Sequence, residues 1–329
     1  MEAAANFAAT SNRRFPFWGM ALCAVVASGA FAQEPFPSKP IRFVLPYTAG
    51  GGSDRLMRAL GEELRERLGQ PVLVESRPGA NTMVAAELVA RARNDGYTLL
   101  YLGWATITTN LVIYKNISYK LEDFQPITTL YRSPLTLVVK KDFPASNLKE
   151  LIGYARNKGS LAYGTAGTGS SPNLLLVRLS KASGVNFEHV PYKGEAPAVQ
   201  DVMGGHLPLF AGSLSNSAPS IRAGNLKAIV TSSGERLPNF PDIPTFREAG
   251  FEEHVFTYWH GVAAPAGLSR AILDRLHAAF VAAVESKRVR GVLEPDQIPT
   301  TMSPDAFSEQ IRRDIETWGP VIRANNLVE

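Results

Sequence analysis

Apolar residues recur along this chain with two alternating periods. Ile41-Arg42-Phe43-Val44-Leu45 is an apolar run of strand length, and residues 53–68 carry the spacing of an amphipathic helix. The rhythm repeats with a strand at 72–74, a helix over 82–92 with Met83, Ala86, Leu88 and Val89 apolar, and a strand at 98–102 ending at Gly103. A β-rich run, Leu135-Thr136-Leu137-Val138-Val139, precedes a second series. It comprises helix 148–157, strand 161–163, helix 172–182, strand 187–190, helix 197–203 and strands 207–210 and 226–230. A proline-rich stretch, 238–244, and the run 255–264 mark a second transition. Two helices close the chain, over 269–286 and 304–325. The last puts Phe307, Ile311, Ile315, Trp318 and Ile322 on one face, with Ser303 as N-cap and Pro304 at the first helical position. Repeated strand–helix units of this length predict mostly parallel sheets with helices on both faces. Two such series joined by two strand-like crossings predict a pair of α/β lobes with a hinge between them.

Two glycine-rich turns sit where strands run into helices. They are Pro46-Tyr47-Thr48-Ala49-Gly50-Gly51-Gly52-Ser53-Asp54 and Tyr163-Gly164-Thr165-Ala166-Gly167-Thr168-Gly169-Ser170-Ser171-Pro172. Glycine lets a ligand approach the backbone, and a helix N-terminus offers unpaired N–H groups and a partial positive charge. Each turn is therefore a candidate anion site, and two on facing lobes suit a molecule with two anionic ends. The first lacks the Gly-Lys-Ser/Thr of a nucleotide P-loop and the spacing of a dinucleotide fingerprint. The plain alternatives are a tight strand–helix connection for the first and a Gly/Ser/Thr surface loop for the second.

Composition narrows the setting. Arg13 and Arg14 precede the apolar stretch 15–32, which closes on Ala30-Phe31-Ala32 before Gln33, the pattern of a cleaved secretory signal over residues 1–32. The apolar core is shorter than the ~20 residues a membrane span needs. A lipoprotein reading lacks a small residue before Cys23, and Pro16 breaks a twin-arginine pattern. Removal of 32 of the 329 residues leaves 297, about two domains' worth, and takes away Cys23, the single cysteine. No disulfide, thiolate nucleophile or Cys-ligated metal is then expected. The net charge of +4 is spread over interleaved Lys, Arg, Asp and Glu, which argues against a nucleic-acid partner. The five histidines show no metal-ligand spacing, and neither G-x-S-x-G nor H-E-x-x-H occurs. Tyr258 and Trp259, near the second crossing, are candidates to wall a cleft.

A family resemblance runs through the rest of the chain. The segment from Pro37-Ser38-Lys39-Pro40 through the first glycine turn resembles the mature N-terminus of the Bug family, the extracytoplasmic solute receptors of tripartite tricarboxylate transporters. Further matching blocks are Leu68-Gly69-Gln70-Pro71-Val72, Glu75-Ser76-Arg77-Pro78-Gly79-Ala80, Asp95-Gly96-Tyr97-Thr98-Leu99-Leu100, His189-Val190-Pro191-Tyr192-Lys193-Gly194, Pro241-Asp242-Ile243-Pro244-Thr245 and Ala263-Ala264-Pro265-Ala266-Gly267. The resemblance implies a two-lobed, type II-like periplasmic binding protein of the Venus flytrap kind. Its lobes would be 36–137 with 260–329, and 138–259, closing on a small carboxylate that is passed to membrane permease components, without a cofactor, a metal or catalysis. It implies ligand contacts from Tyr47, Thr48, Ala49, Gly50, Gly51, Ser53 and Asp54 in the first turn and Thr165, Gly167, Thr168 and Ser170 in the second. Thr106, Lys193, Asp201, Ser213 and Trp259 are further implied liners. Asn173 replaces a common His, and Pro208 and Gly212 stand where relatives often have Asp. That loss of acid implies a pocket unsuited to the ammonium of an amino acid. A ligand-sensing module for a signalling partner and a periplasmic hydrolase are the alternative functions.

Overall fold

The computed structural model describes residues 36–192, 194–325 and 327–328, so the expected signal over 1–32 and Lys193 lie outside the described residues. Strand β1 (Ile41–Leu45) buries four of its five side chains, as a strand covered on both faces must. Helix α1 (Gly52–Leu68) follows, with Leu56, Met57, Leu60, Leu64 and Leu68 buried on one face, each contributing about 1.5–3 kcal/mol of burial free energy. It stops at Gly69, whose left-handed φ of 75° glycine adopts without strain. Then come β2 (Val72–Ser76), α2 (Met83–Ala90), β3 (Thr98–Gly103) and two single-turn helices, α3 (Trp104–Ile107) and α4 (Asn110–Ile113). Both β2 and β3 pair with β1 in parallel.

The second series repeats this layout. After β4 (Phe124–Lys140) come α5 (Leu148–Lys158), β5 (Ser160–Thr165), α6 (Ser171–Ser183), β6 (Asn186–Pro191), α7 (Glu195–Gly204), β7 (Leu209–Ser213), α8 (Leu214–Arg222) and β8 (Leu226–Thr231). Strand β5 lies parallel to β6 and β7. The chain closes with β9 (Thr257–Pro265), α9 (Arg270–Val284), α10 (Lys287–Arg290), β10 (Ile298–Pro299) and α11 (Pro304–Ala324). Separate apolar clusters cover the two faces of the β1–β3 region, one built on α1 and α9 and the other on α2 and α11. Two more lie on α5 with α6 and on α7, around β5 and β7.

The sheet order is β2-β1-β3-β9-β4-β7-β5-β6, with β8 and β10 also on β4. Parallel pairing holds in the outer strands, whereas every pair made by β4 or β9 is antiparallel. Residues 124–134 of β4 pair with β9 and residues 135–140 with β7 and β8, so this one strand serves both series.

Several elements differ from the sequence expectation. Strand β4 is 17 residues long, not five, because Pro126 and Pro134 and a run of threonines hide its first part. The register shifts between Pro126 and Thr128 and again between Thr129 and Tyr131, as bulges absorb the break. Helix α8 forms despite Pro219. Strand β7 begins at Leu209 rather than 207, since His206 and Leu207 donate their N–H groups to the Asp201 carbonyl that ends α7.

Candidate functional site

Both glycine turns leave a strand in parallel pairing, β1 or β5, and enter a helix, α1 or α6. In the first, Gly50 takes the left-handed φ of 89°. Asp54 accepts hydrogen bonds from Gly50 N–H and Arg58 Nε, both at 3.0 Å, and the Arg58 bond holds its carboxyl below the usual range. Gly51 is the extended N-cap of α1 and has no side chain to satisfy the first-turn N–H groups, which are left for a ligand.

The second turn is held by its own side chains. Buried Thr165 Oγ1 accepts from Gly167 N–H at 3.1 Å, Ser170 Oγ donates to the Gly167 carbonyl at 2.7 Å, and Gly169 N–H donates to Asn173 Oδ1 at 2.9 Å. Asn173 Nδ2 in turn donates to the Tyr163 hydroxyl at 2.8 Å. Gly167 and Gly169 have φ of 142° and 72°, and a Cβ on Gly169 would lie 2.1 Å from Ile113 Cδ1. The turn thus presses against α4 of the first series.

A third turn, β7 into α8, was not singled out as an anion site by sequence. Glu195, the first residue of α7, reaches into it. Its carboxylate accepts from Ser213 N–H at 3.1 and 3.2 Å, Ser213 Oγ at 2.6 Å and Asn216 Nδ2 at 2.6 Å. Gly212 makes room for this carboxylate and for the Phe210 ring, because a Cβ there would sit 2.8 Å from Glu195 Oε1 and 2.3 Å from Phe210 Cζ. Burial pushes the Glu195 carboxyl above its ordinary pKa, against the donors of Ser213 and Asn216, and neighbouring Asp296 adds to the rise.

The floor between the turns is aromatic. Tyr258 and His260 lie two apart on β9, so they share a face, and His260 is in register with Tyr131 on β4. The imidazole stacks on Tyr131 with centroids 5.0 Å apart and lies 5.1 Å from Tyr101. Burial depresses its pKa to about 3, so the ring is neutral at physiological pH. Its Nδ1 has no hydrogen-bond partner.

These parts line one cavity of about 730 Å³. Tyr47, Ser53, Gly167, Thr168, Ser170 and Ser213, all expected from sequence, line it. Thr48, Ala49, Gly50, Gly51 and Asp54 shape the first turn without lining the cavity. Thr165 is fully buried behind the second turn, bonded to Gly167 and to His189 Nε2 at 2.7 Å. Thr106 is also buried and bonds Thr82 Oγ1 at 2.8 Å, and it is Thr82 that lines the wall. Asp201 accepts from the Tyr192 hydroxyl at 2.5 Å, away from the cavity. Of the aromatic pair, Tyr258 lines it, while Trp259 points through the opposite face of the sheet to Asp314, with Nε1 to Oδ2 at 2.7 Å. The alternation of strand side chains decides this, and it was the signal available for His260 as well.

Sequence reasoning passed over Glu195, Tyr131, His260, Trp104, Asn81 and Asn216. It also passed over Arg55 and Glu294, which pair at 2.6 Å on the rim. Glu195 supplies a carboxylate beside Gly212, one of the two positions where acid common in relatives is missing. Among the described residues no three His, Cys, Asp or Glu side chains group as a metal site, and no helix is long and apolar enough to cross a membrane.

Comparison with known proteins supplies the context. A family model described as "Tripartite tricarboxylate transporter family receptor" matches residues 56–327. The protein BugT of Bordetella pertussis is 32% identical over 296 residues, covering 89% of this chain and 91% of BugT. The structure of MatC from Rhodopseudomonas palustris with bound malate superposes with a TM-score of 0.76 at 30% identity, covering 87% of this chain and all of MatC. That of R. palustris Rpa4515 with adipate gives 0.79 at 30% identity, covering 88% and 97%.

Proposed function

The chain belongs to the tripartite tricarboxylate transporter family of receptors, and from that premise we propose that it captures a small carboxylate in the cavity between its two series of strands and helices. The observation that carries this reading is the convergence of two glycine turns, and with them the N-termini of α1 and α6, on one cavity. The malate and adipate held by the two R. palustris relatives are carboxylates of fitting size. In this reading the protein is exported through the signal at 1–32 and works in the periplasm. There it delivers its ligand to the membrane components of a tripartite transporter. The lobes are 36–137 with 260–329, and 138–259, and β4 and β9 bend as the hinge when ligand draws them together.

The carboxylate docks on the free N–H groups of Gly52 and Ser53 and on the second turn at Gly167, Thr168 and Ser170. Each helix end contributes ~0.3–1 kcal/mol when exposed and up to ~2 kcal/mol in a closed cleft. With hydroxyl and water-bridged hydrogen bonds added, the sum reaches the roughly −8 kcal/mol of micromolar binding. The test is a thermal shift on protein refolded free of ligand, against carboxylates, neutral sugars and esters. A ligand at 100 times its Kd stabilises by about 2.7 kcal/mol. Stabilisation by carboxylates alone supports the receptor. Silence from every carboxylate, or turnover of an ester, refutes it.

A further inference from the structure

Building on the receptor reading above, we propose that the ligand is a zwitterion whose carboxylate meets the α1 and α6 turns and whose protonated amine meets Glu195 on the facing wall. Glu195 makes this wall selective. Helix α8 presents its N-terminus to the cavity, the usual place for a second anion, and the chain's own carboxylate already fills it. A second ligand carboxylate would meet Glu195 head on. Behind Glu195 lies Asp296, fully buried and accepting from Ser133 Oγ at 2.7 Å and from Ser215 Oγ.

The hydrogen bonding of Glu195 is lopsided. Oε2 takes Ser213 Oγ–H and Asn216 Nδ2–H, whereas Oε1 takes only a share of the Ser213 N–H. A carboxylate has about four acceptor sites, so Oε1 keeps room for a ligand donor, and an ammonium bound there offsets the burial and the Asp296 charge that raise the Glu195 carboxyl. Every one of these protein donors is uncharged. The other charged pair on the lining, Arg55 with Glu294, neutralises itself.

The aromatic floor is the independent second observation. Tyr47, Tyr131 and Tyr258 surround a neutral His260, and Trp104 lines the same cavity. Aromatic rings attract an ammonium, and the neutral imidazole offers no positive charge to a second carboxylate. Glu195 is thus a specificity-determining residue: it turns a pocket that could hold two carboxylates into one that reads an anion at one end and a cation at the other.

The experiment measures binding to the ligand-stripped protein by calorimetry. The probes are ω-amino acids of three to six carbons, each against the dicarboxylate of equal chain length. The native protein is expected to prefer the amino acid of the best length at least tenfold. Glu195→Gln, nearly isosteric, should lower that ratio at least tenfold, and Glu195→Asp should keep the preference at lower affinity. Equal or tighter binding of the dicarboxylate, or a ratio unchanged in Glu195→Gln, overturns the assignment of Glu195 and leaves the receptor reading in place. Binding of no member of either series also overturns it, while the wider carboxylate panel decides the receptor reading separately.

Discussion

Asn173 is the residue on which the second turn depends most, and Asn173→Ala tests that dependence. Its side chain is almost fully buried and serves two buried groups, accepting from the Gly169 N–H through Oδ1 and donating from Nδ2 to the Tyr163 hydroxyl. Alanine leaves both unpaired. A buried polar group that loses its partner costs about 1–3 kcal/mol. Tyr163 and Asn173 both border a second cavity of about 580 Å³, so truncation at 173 opens the hydroxyl towards it and the lower end of that range applies there. The Gly169 N–H is enclosed by the turn and takes the fuller penalty. The sum is about 2–4 kcal/mol, or a fall in Tm of roughly 4–10 °C for a chain of this size. Binding should weaken in parallel, because the freed N–H no longer holds Gly169 at its φ of 72° and the turn loses the shape that faces the ligand. Thermal unfolding followed by circular dichroism, with calorimetric titration of the best carboxylate, reads both. A Tm within 1–2 °C of native together with an unchanged Kd would show that the turn needs no such brace, and the reasoning fails.

Three further changes probe other parts of the site. Gly169→Ala adds a Cβ in left-handed backbone, about 1 kcal/mol of strain, and drives it into Ile113 Cδ1. Both stability and affinity should fall, and Ile113→Val, which removes that methyl, should restore more than half the loss in the double mutant; no rescue refutes the contact. Gly51→Val meets only the Thr48 carbonyl at 3.9 Å and has an ordinary φ of −79°, so Tm should move little, while a branched side chain at the N-cap of α1 should weaken binding at least a hundredfold. Unchanged affinity would remove the first turn from the site. His260→Phe bears on acid stability. The folded-state pKa is depressed to about 3 from about 6.5, so the native protein loses stability as pH falls through that window, by up to about 1.4 kcal/mol per pH unit. Urea unfolding between pH 6.5 and 4 should show a shallower decline for the variant, and parallel slopes would contradict a buried neutral imidazole.

Which parts of the molecule can be read from its residues follows from how far each residue's partners lie along the chain. Strands β1 and β3 are wrapped on both faces and read as apolar runs, and the glycine turns announce themselves within ten residues. The first half of β4 does the opposite. Thr128, Thr129 and Ser133 break the apolar pattern because their hydroxyls are satisfied by Met302 and Thr300 carbonyls and by Asp296, more than 160 positions away. No local period encodes such partners, so only residues 135–139 of a strand that joins both series read as β. The same distance hid the aromatic floor, since His260 acquires its role only through its register with Tyr131.

Position-by-position reading has a sharper failing at the distal wall. Gly212 and Pro208 suggested a pocket that had lost its acid. In the fold, the space above Gly212 is shared by the Phe210 ring, whose Cζ would lie 2.3 Å from a Cβ there, and by the Glu195 carboxylate, which enters from α7 with Oε1 at 2.8 Å. The glycine therefore leaves room for both the ring and the carboxylate, and is no sign that acid is absent. Charge in a cavity is a property of the volume the side chains reach, and one residue's shortness can be read correctly only beside the neighbour that uses the room it leaves.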